Sequence, residues 1–355
     1  MLDFDAVLAT SPVRSAAGGE IGRSRRGRPL YGFRAGRGPC RVSLIGGCHA
    51  DEPVGPAMLD RLAAFLLSLP SEHNLLQDFT WSLVPHANPD GEAANRPWTD
   101  GLGDPAGWTG SEPVRVDLWT YLSHVVREPP GDDMEFGFPR SPEDGEARPE
   151  NHAIAAFLRE GGPYHVHGSL HGMGVAAGPW FLMERSWADH RTESMRRRLQ
   201  DQVRSRGYAL HDIDRQGDKG FHRLGEGFTS RPDSTAMRAH FESRNDLATA
   251  ALFRPSSMEW VRGLGGDPLT LVTEMPLFLL PKAAYAEGDP IRPPAWKRLR
   301  EAFLRGRDRL AEAVQEEKLE SMPIRDQMEF QLRYLNEALI TVADQLGADQ
   351  LGAGR

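Results

Sequence analysis

The sequence predicts an α/β fold from three observations. Four apolar runs, residues 41–45, 79–84, 164–170 and 268–273, have the length and the β-branched or aromatic content of strands. Each run hands over at its carboxyl end to polar or turn-forming residues: His49 and Glu52, then Asn88-Pro-Asp-Gly91, then His171, then Glu274. Ligands of open α/β sheets collect outside the carboxyl ends of the strands, so the four ends are expected to share one crevice.

Along the chain, the first run leads into Gly46-Gly-Cys-His-Ala-Asp-Glu-Pro-Val-Gly55, with His49 and Glu52 three apart. A neutral imidazole and a carboxylate at that spacing can turn toward one point, and Zn²⁺ accepts such a nitrogen and oxygen mixture while keeping a position open for water. Residues 101–150 hold seven prolines, seven glycines and many acids without a sustained period, which predicts a long loop insertion beside the site. In the third run His165, His167 and His171 alternate onto one face, and His171 is preferred as a ligand because it stands at the strand's end. Residues 187–245 begin as a charged helix and pass into a Gly-rich stretch, where His211 and His222 lack a partner at chelating spacing. Trp296, Leu299, Phe303, Leu310 and Val314 form one apolar stripe. Ile324, Met328, Leu332, Leu335, Leu339, Val342 and Leu346 form another. Two amphipathic helices joined near Ser321-Met-Pro323 are expected, either folded back on the main domain or mediating a homo-oligomer. The division is then a main domain over 1–285 and a C-terminal helical appendage over 286–355.

With these motifs in place, the chain resembles the M14 family of zinc carboxypeptidases over roughly residues 20–282. Gly22-Arg-Ser-Arg-Arg-Gly-Arg-Pro29 is similar to that family's approach to its first strand, and Gly46-Gly-Cys-His-Ala-Asp-Glu52 to its first two zinc ligands. Asn88-Pro-Asp-Gly91, Ser169-Leu-His-Gly172, Ser257-Met-Glu-Trp260 and Thr273-Glu-Met-Pro276 follow in the family's order. The resemblance implies a mixed, mostly parallel central sheet flanked by helices, with one Zn²⁺ per chain on His49, Glu52 and His171. It makes Glu274 the general base and acid, and Arg96 the cation that polarises the scissile carbonyl.

Two departures bear on substrate. Where the family follows Asp-Leu with an Asn-Arg pair that grips a substrate carboxylate, Asp117-Leu118 is followed here by Trp119-Thr120. Arg115 and Arg127 are the nearest replacements, and Arg127 is preferred because Pro129-Pro130 stiffens the chain behind it. The family's site tyrosine falls near Leu252-Phe253-Arg254, which offers no phenol. Asn88, Phe253 and Met258 join Arg127 as expected substrate contacts.

The 355 residues carry a net charge of −8, and the 42 cationic side chains include only four lysines, leaving 38 arginines. An acidic balance argues against nucleic acid, and no run of about eighteen apolar residues points to a membrane. The start Met1-Leu-Asp-Phe-Asp lacks a secretion signal, so a cytoplasmic location is expected. Cys40 and Cys48 are too few for a disulfide framework. The expected activity is hydrolysis of an amide bond in a peptide by metal-activated water. The alternatives are a zinc deacylase of N-acyl amino acids, and an inactive zinc-binding protein that interacts through its C-terminal helices.

Overall fold

The computed structural model describes residues 1–12, 18–141, 143–286 and 293–352. The boundary expected at 285–286 therefore adjoins residues 287–292, which lie outside the described residues, as do Pro142 of the long loop and the last three residues. Ten strands make one sheet: β1 (Gly19–Arg23), β2 (Pro29–Gly36), β3 (Cys40–Gly46), β4 (Phe79–Val84), β5 (Val166–Ala176), β6 (Trp180–Met183), β7 (Arg223–Gly225), β8 (Phe228–Ser230), β9 (Leu269–Leu279) and β10 (Glu320–Ser321). Their order is β1-β2-β4-β3-β5-β9-β6-β8-β7, with β10 paired to β9.

The four strands β4, β3, β5 and β9 run parallel at the centre, whereas β1, β2, β6 and β10 attach antiparallel. The sheet is thus mixed, with its parallel character concentrated in the middle. Burial on both faces explains the unbroken apolar runs of the central strands. Val42 and Leu44 of β3 pack toward the helices Val54–Ser68 and Ile324–Gly352, while Ile45 faces the helix Pro149–Gly161.

β5 and β9 run beyond the ends expected from sequence. They pair with each other from Val166↔Leu269 to Ala176↔Leu279, so His171 and Glu274 lie inside strands rather than at their ends. β3 and β4 do stop at that level, and the crevice opens above them against the middle of their longer neighbours. Polar residues could not have marked these strand ends, because the polar residues sit on a face that carries the site.

The long loop 101–150 contains the helix Leu118–His124 and two short 3₁₀ turns. The first C-terminal stripe is two helices, Pro294–Leu304 and Arg307–Glu316, because Gly306 takes a φ of 112° that breaks the run. The second stripe is one helix. Met328, Leu332, Leu335 and Leu339 lie in the same core as Met58, Leu62, Val42 and Trp81, so its apolar face is covered by its own chain. No helix of the described residues is long and apolar enough to cross a membrane.

Leu339 is 1% exposed in this shared core. Leu339→Ala should cost about 2–5 kcal/mol of stability, the range for truncating a buried leucine, read from chemical unfolding midpoints. An unchanged midpoint would show that the last helix contributes nothing to the core.

Candidate metal centre and active site

The turn between β3 and the helix Val54–Ser68 presents His49 and Glu52, with the Glu52 amide donating to the His49 carbonyl at 3.3 Å. On β5, Val166 and Leu170 point into the core beneath the C-terminal helix, so alternation turns His167, Ser169 and His171 to the opposite face. The same alternation on β9 sends Leu271 and Met275 to that core and Glu274 to the face of His171, its register partner. From the far side of the sheet, Gln331 of the last helix donates to the His171 carbonyl at 3.3 Å and to Thr273 Oγ1 at 3.2 Å.

His49 Nδ1 and Glu52 Oε1 are 2.8 Å apart, His171 Nδ1 and Glu52 Oε2 2.9 Å, and the two histidine Nδ1 atoms 2.9 Å. One donor atom from each of the three residues lies within 4.8 Å of the others. The outward ring nitrogens are occupied: His49 Nε2 lies 3.4 Å from Asp133, and His171 Nε2 lies 3.1 Å from Glu135 and 2.7 Å from Ser169 Oγ. Each carboxylate favours the tautomer that carries its proton on Nε2 and turns the Nδ1 lone pair inward. Arg127 donates to Glu52 Oε1 at 2.6 Å and to Asp51 Oδ1 at 2.9 Å. The segment 127–135 thus places a partner behind each of the three groups. Two inward lone pairs and a carboxylate repel one another unless a positive charge lies between them.

The electrostatics agree. Burial and Arg127 pull the His49 imidazole down, but Glu52 and Asp133 outweigh them and raise it to about 9. Burial opposes charge on His171 as well, and Glu52 with Glu135 drives it well above the usual range. Glu52 itself, despite burial, is held well below the ordinary carboxylate range by His49, Arg127 and His171. Glu274 goes the other way: burial first, then the charge of Glu52, lifts it to about 8.

A cavity of about 240 Å³ is lined by His49, His171, Glu274, Arg127 and Met258, together with side chains of the segment 215–221. Five expected site residues therefore share one space, and Glu52 is bonded to three of them, His49, His171 and Arg127. The other expected residues do not line this cavity. Arg96 is exposed in the last turn of the helix Pro89–Thr99 and lines an adjoining cavity of about 270 Å³ with His49, Glu52 and Asn88, a cavity whose lining does not include Glu274. Asn88 caps that helix through Gly91 and donates to Glu128 at 2.6 Å, so its amide is engaged in structure. Phe253 is 4% exposed, stacked on Phe241 and set edge-on to Phe136, rather than lining the cavity. Arg115 is bonded to the Ser321 carbonyl in the C-terminal segment.

Several motif residues are interlocks. Asp90 accepts from Ser24, Arg28 and the Arg26 amide, tying Asn88-Pro-Asp-Gly91 to the lead-in segment. Glu259 closes a capping box on Ser256 and also binds Ser234. His165 Nδ1 accepts from the Arg41 amide, and His167 Nδ1 meets Ser43 Oγ at 2.8 Å, which leaves both as structural residues. Asp133, Glu135, Arg215 and Lys219 were not anticipated. The only sequence signal for them was the density of acids in the long loop and the rarity of lysine, neither of which points to a position.

His167 is fully buried, and burial followed by Arg231 depresses its pKa to about 3, while burial depresses His211 to about 4. Both stay neutral when folded but take up a proton near pH 6.5 when unfolded. The stability they contribute is present above pH 6.5 and lost as pH falls toward 3–4. His167→Asn, which can keep the Ser43 hydrogen bond, should flatten the fall in melting temperature between pH 6.5 and 4. A fall as steep as that of the parent would reject the neutral buried state.

Comparison with known proteins gives a consistent picture. A family model described as zinc carboxypeptidase matches residues 14–276. A protein named zinc carboxypeptidase A 1, from Anopheles gambiae, is 37% identical over 87 residues, which cover 22% of this chain and 20% of that protein. The match therefore spans about a fifth of the length of that curated relative. Among solved structures, a Shewanella amazonensis protein with a provisional metallopeptidase designation aligns over 92% of this chain and 86% of its own, at 14% identity and a TM-score of 0.50, which speaks to the fold alone. The carboxypeptidase A of Helicoverpa armigera aligns over 96% and 71% of the two chains, at 12% identity and a TM-score of 0.44.

Proposed function

Because this chain belongs to the zinc carboxypeptidase family of M14 peptidases, whose model spans residues 14–276, we propose that it hydrolyses a terminal amide bond of a peptide with one zinc held by His49, Glu52 and His171. The observation that carries this reading is the convergence of two Nδ1 atoms and one carboxylate, with Glu274 on the same wall of the cavity. Donor types and outer partners suit Zn²⁺, which takes imidazole nitrogen and carboxylate oxygen in a three-ligand catalytic set. When bound there, zinc supplies a Lewis acid and a water of lowered pKa.

The chain's own groups do the rest. Glu274 takes the proton of the attacking water on its carboxylate and hands it to the departing nitrogen. A carboxyl lifted toward neutrality by burial is suited to both transfers, and the positive charge of an occupied ligand set would draw it back toward the working pH. Arg127, rather than Arg96, is the cation that faces the carbonyl oxygen as it gains charge, because it lines the Glu274 cavity and Arg96 does not. Asp51 and Glu52 fix the position of its guanidinium. Trp119, which stands at the family's Asn-Arg position, packs against Phe303 and Arg307 and leaves that position without a carboxylate donor. The same small cavity would accommodate an N-acyl amino acid, so deacylation of such compounds is the second reading.

Removing one ligand should abolish tight metal binding without unfolding the protein: purified His49→Ala is expected to retain less than about a tenth of the zinc of the parent by elemental analysis. One tightly held zinc per chain in that variant would refute the ligand set. Glu274→Gln keeps shape and removes the base. Zinc content should be unchanged while turnover falls about a hundredfold to ten-thousandfold, the usual worth of general acid-base catalysis. Turnover within about threefold of the parent would remove Glu274 from the chemistry.

A further inference from the structure

On the side of His171 turned away from His49 and Glu52, a second set of groups with metal-binding chemistry meets. Cys48 Sγ, a Glu135 carboxylate oxygen and a His171 ring nitrogen all lie within 4.8 Å of one another. The ring nitrogen on that side is Nε2, 3.1 Å from Glu135 Oε2 and 2.7 Å from Ser169 Oγ. Ser169 Oγ also donates to Glu135 Oε2 at 3.2 Å and lies 3.9 Å from the thiol. The hydrolytic step uses neither Cys48 nor the far oxygen of Glu135.

The turn that carries His49 also delivers the thiol. Gly47 takes a φ of 70° as the chain leaves β3, and Cys48 enters the core with Ile45, Met134 and Phe138. Glu135 is 5% exposed, and its Oε1 has no hydrogen-bond partner, because Ser169 and His171 both address Oε2. A buried carboxylate with one oxygen unengaged is costly, and a thiol is too weak a donor to remove that cost. A cation beside it does so. Glu135 and His171 both line the cavity of about 240 Å³, which gives an ion a route to them.

We propose that Cys48, Glu135 and His171 Nε2 form a second metal site, buried behind the first, for a thiophilic dication such as Zn²⁺ or Cd²⁺. It rests on the reading of His49, Glu52 and His171 as the catalytic centre only in that the two sites share one ring. A thiolate among the donors disfavours Mg²⁺ and Ca²⁺, which take oxygen. Tetrahedral bonds of about 2.0–2.3 Å set ligand atoms roughly 3.3–3.8 Å apart, so donors gathered within 4.8 Å need little movement to close on an ion. With an ion already on Nδ1, binding releases one proton from the thiol and one from Nε2, and His171 bridges the two ions as an imidazolate. One dication replaces two protons, so the local charge is unchanged and the exchange suits a buried place. The ion then ties together the β3 turn, the long loop and β5, and stabilises the folded state by mass action.

Cadmium titration of the metal-free protein tests the site, read by the ultraviolet charge-transfer band of a thiolate–cadmium bond and by elemental analysis after dialysis. The parent should hold two ions per chain, one of which brings the band. Cys48→Ser should lose the band and one ion and keep the other. Glu135→Gln should weaken the band-forming ion at least about tenfold, the effect of losing even an outer partner. Cys40→Ser, which alters the other buried cysteine, should behave as the parent. His49→Ala should lose the ion that brings no band. A single ion without the band in the parent overturns the second site and leaves the catalytic centre standing. A single ion with the band, lost in Cys48→Ser, supports the second site and refutes the catalytic ligand set. A band that survives Cys48→Ser, or that forms in Glu135→Gln at the parent's affinity, overturns the proposal.

Discussion

Everything in the site follows from holding two imidazole nitrogens and a carboxylate face to face at hydrogen-bond distance inside a buried pocket. Such a cluster is repulsive in isolation and stable only around positive charge, and the surrounding acids ensure that positive charge is welcome. The segment 127–135 reaches all three groups from behind, through Arg127 to Glu52, Asp133 to His49 and Glu135 to His171. Orientation of the inner groups is thereby tied to one stretch of loop, so the loop belongs to the site as much as the strands do.

The sheet supplies the rigidity on which that orientation depends. His171 and Glu274 occupy paired positions in the middle of two long parallel strands, where the ladder between β5 and β9 fixes their backbones to each other. The last helix covers the reverse of the same strands and bonds the His171 carbonyl through Gln331. The helix expected as an appendage is thus part of the frame behind His171 and Glu274. The neighbouring β3 and β4 end one step earlier, which opens the space that the turn carrying His49 and Glu52 fills.

The far wall of the cavity comes from a different part of the chain. The strands and the 127–135 segment build the end of the cavity that holds His49, His171 and Glu274, while the 215–221 turn walls the other end with Arg215, Lys219 and Phe221.

Much of this was legible in the sequence. Strand period and strand-end polarity identified the α/β class, and the His49 and Glu52 spacing marked two groups that do converge with His171, because both signals are local and depend only on alternation and reach. His171 and Glu274 were legible as polar residues on otherwise apolar strands. Their position within those strands was not, since apolar pattern cannot show that pairing continues past a polar residue. Arg96 was placed by its order along the chain, which does not determine which cavity a helix faces; the fold sets Arg96 in the cavity it shares with His49 and Glu52, and Arg127 in the cavity of Glu274. Asn88 and Phe253 were given to the substrate by motif, yet capping and aromatic stacking occupy them. Glu135, Arg215 and Lys219 had no local signature, because their meaning lies in contacts across long stretches of sequence, 36 positions in the case of Glu135 and His171. The sequence by itself determined which groups could bind a metal and move a proton; only tertiary structure decided which cations would face them, because that depends on where irregular loops come to rest against the sheet.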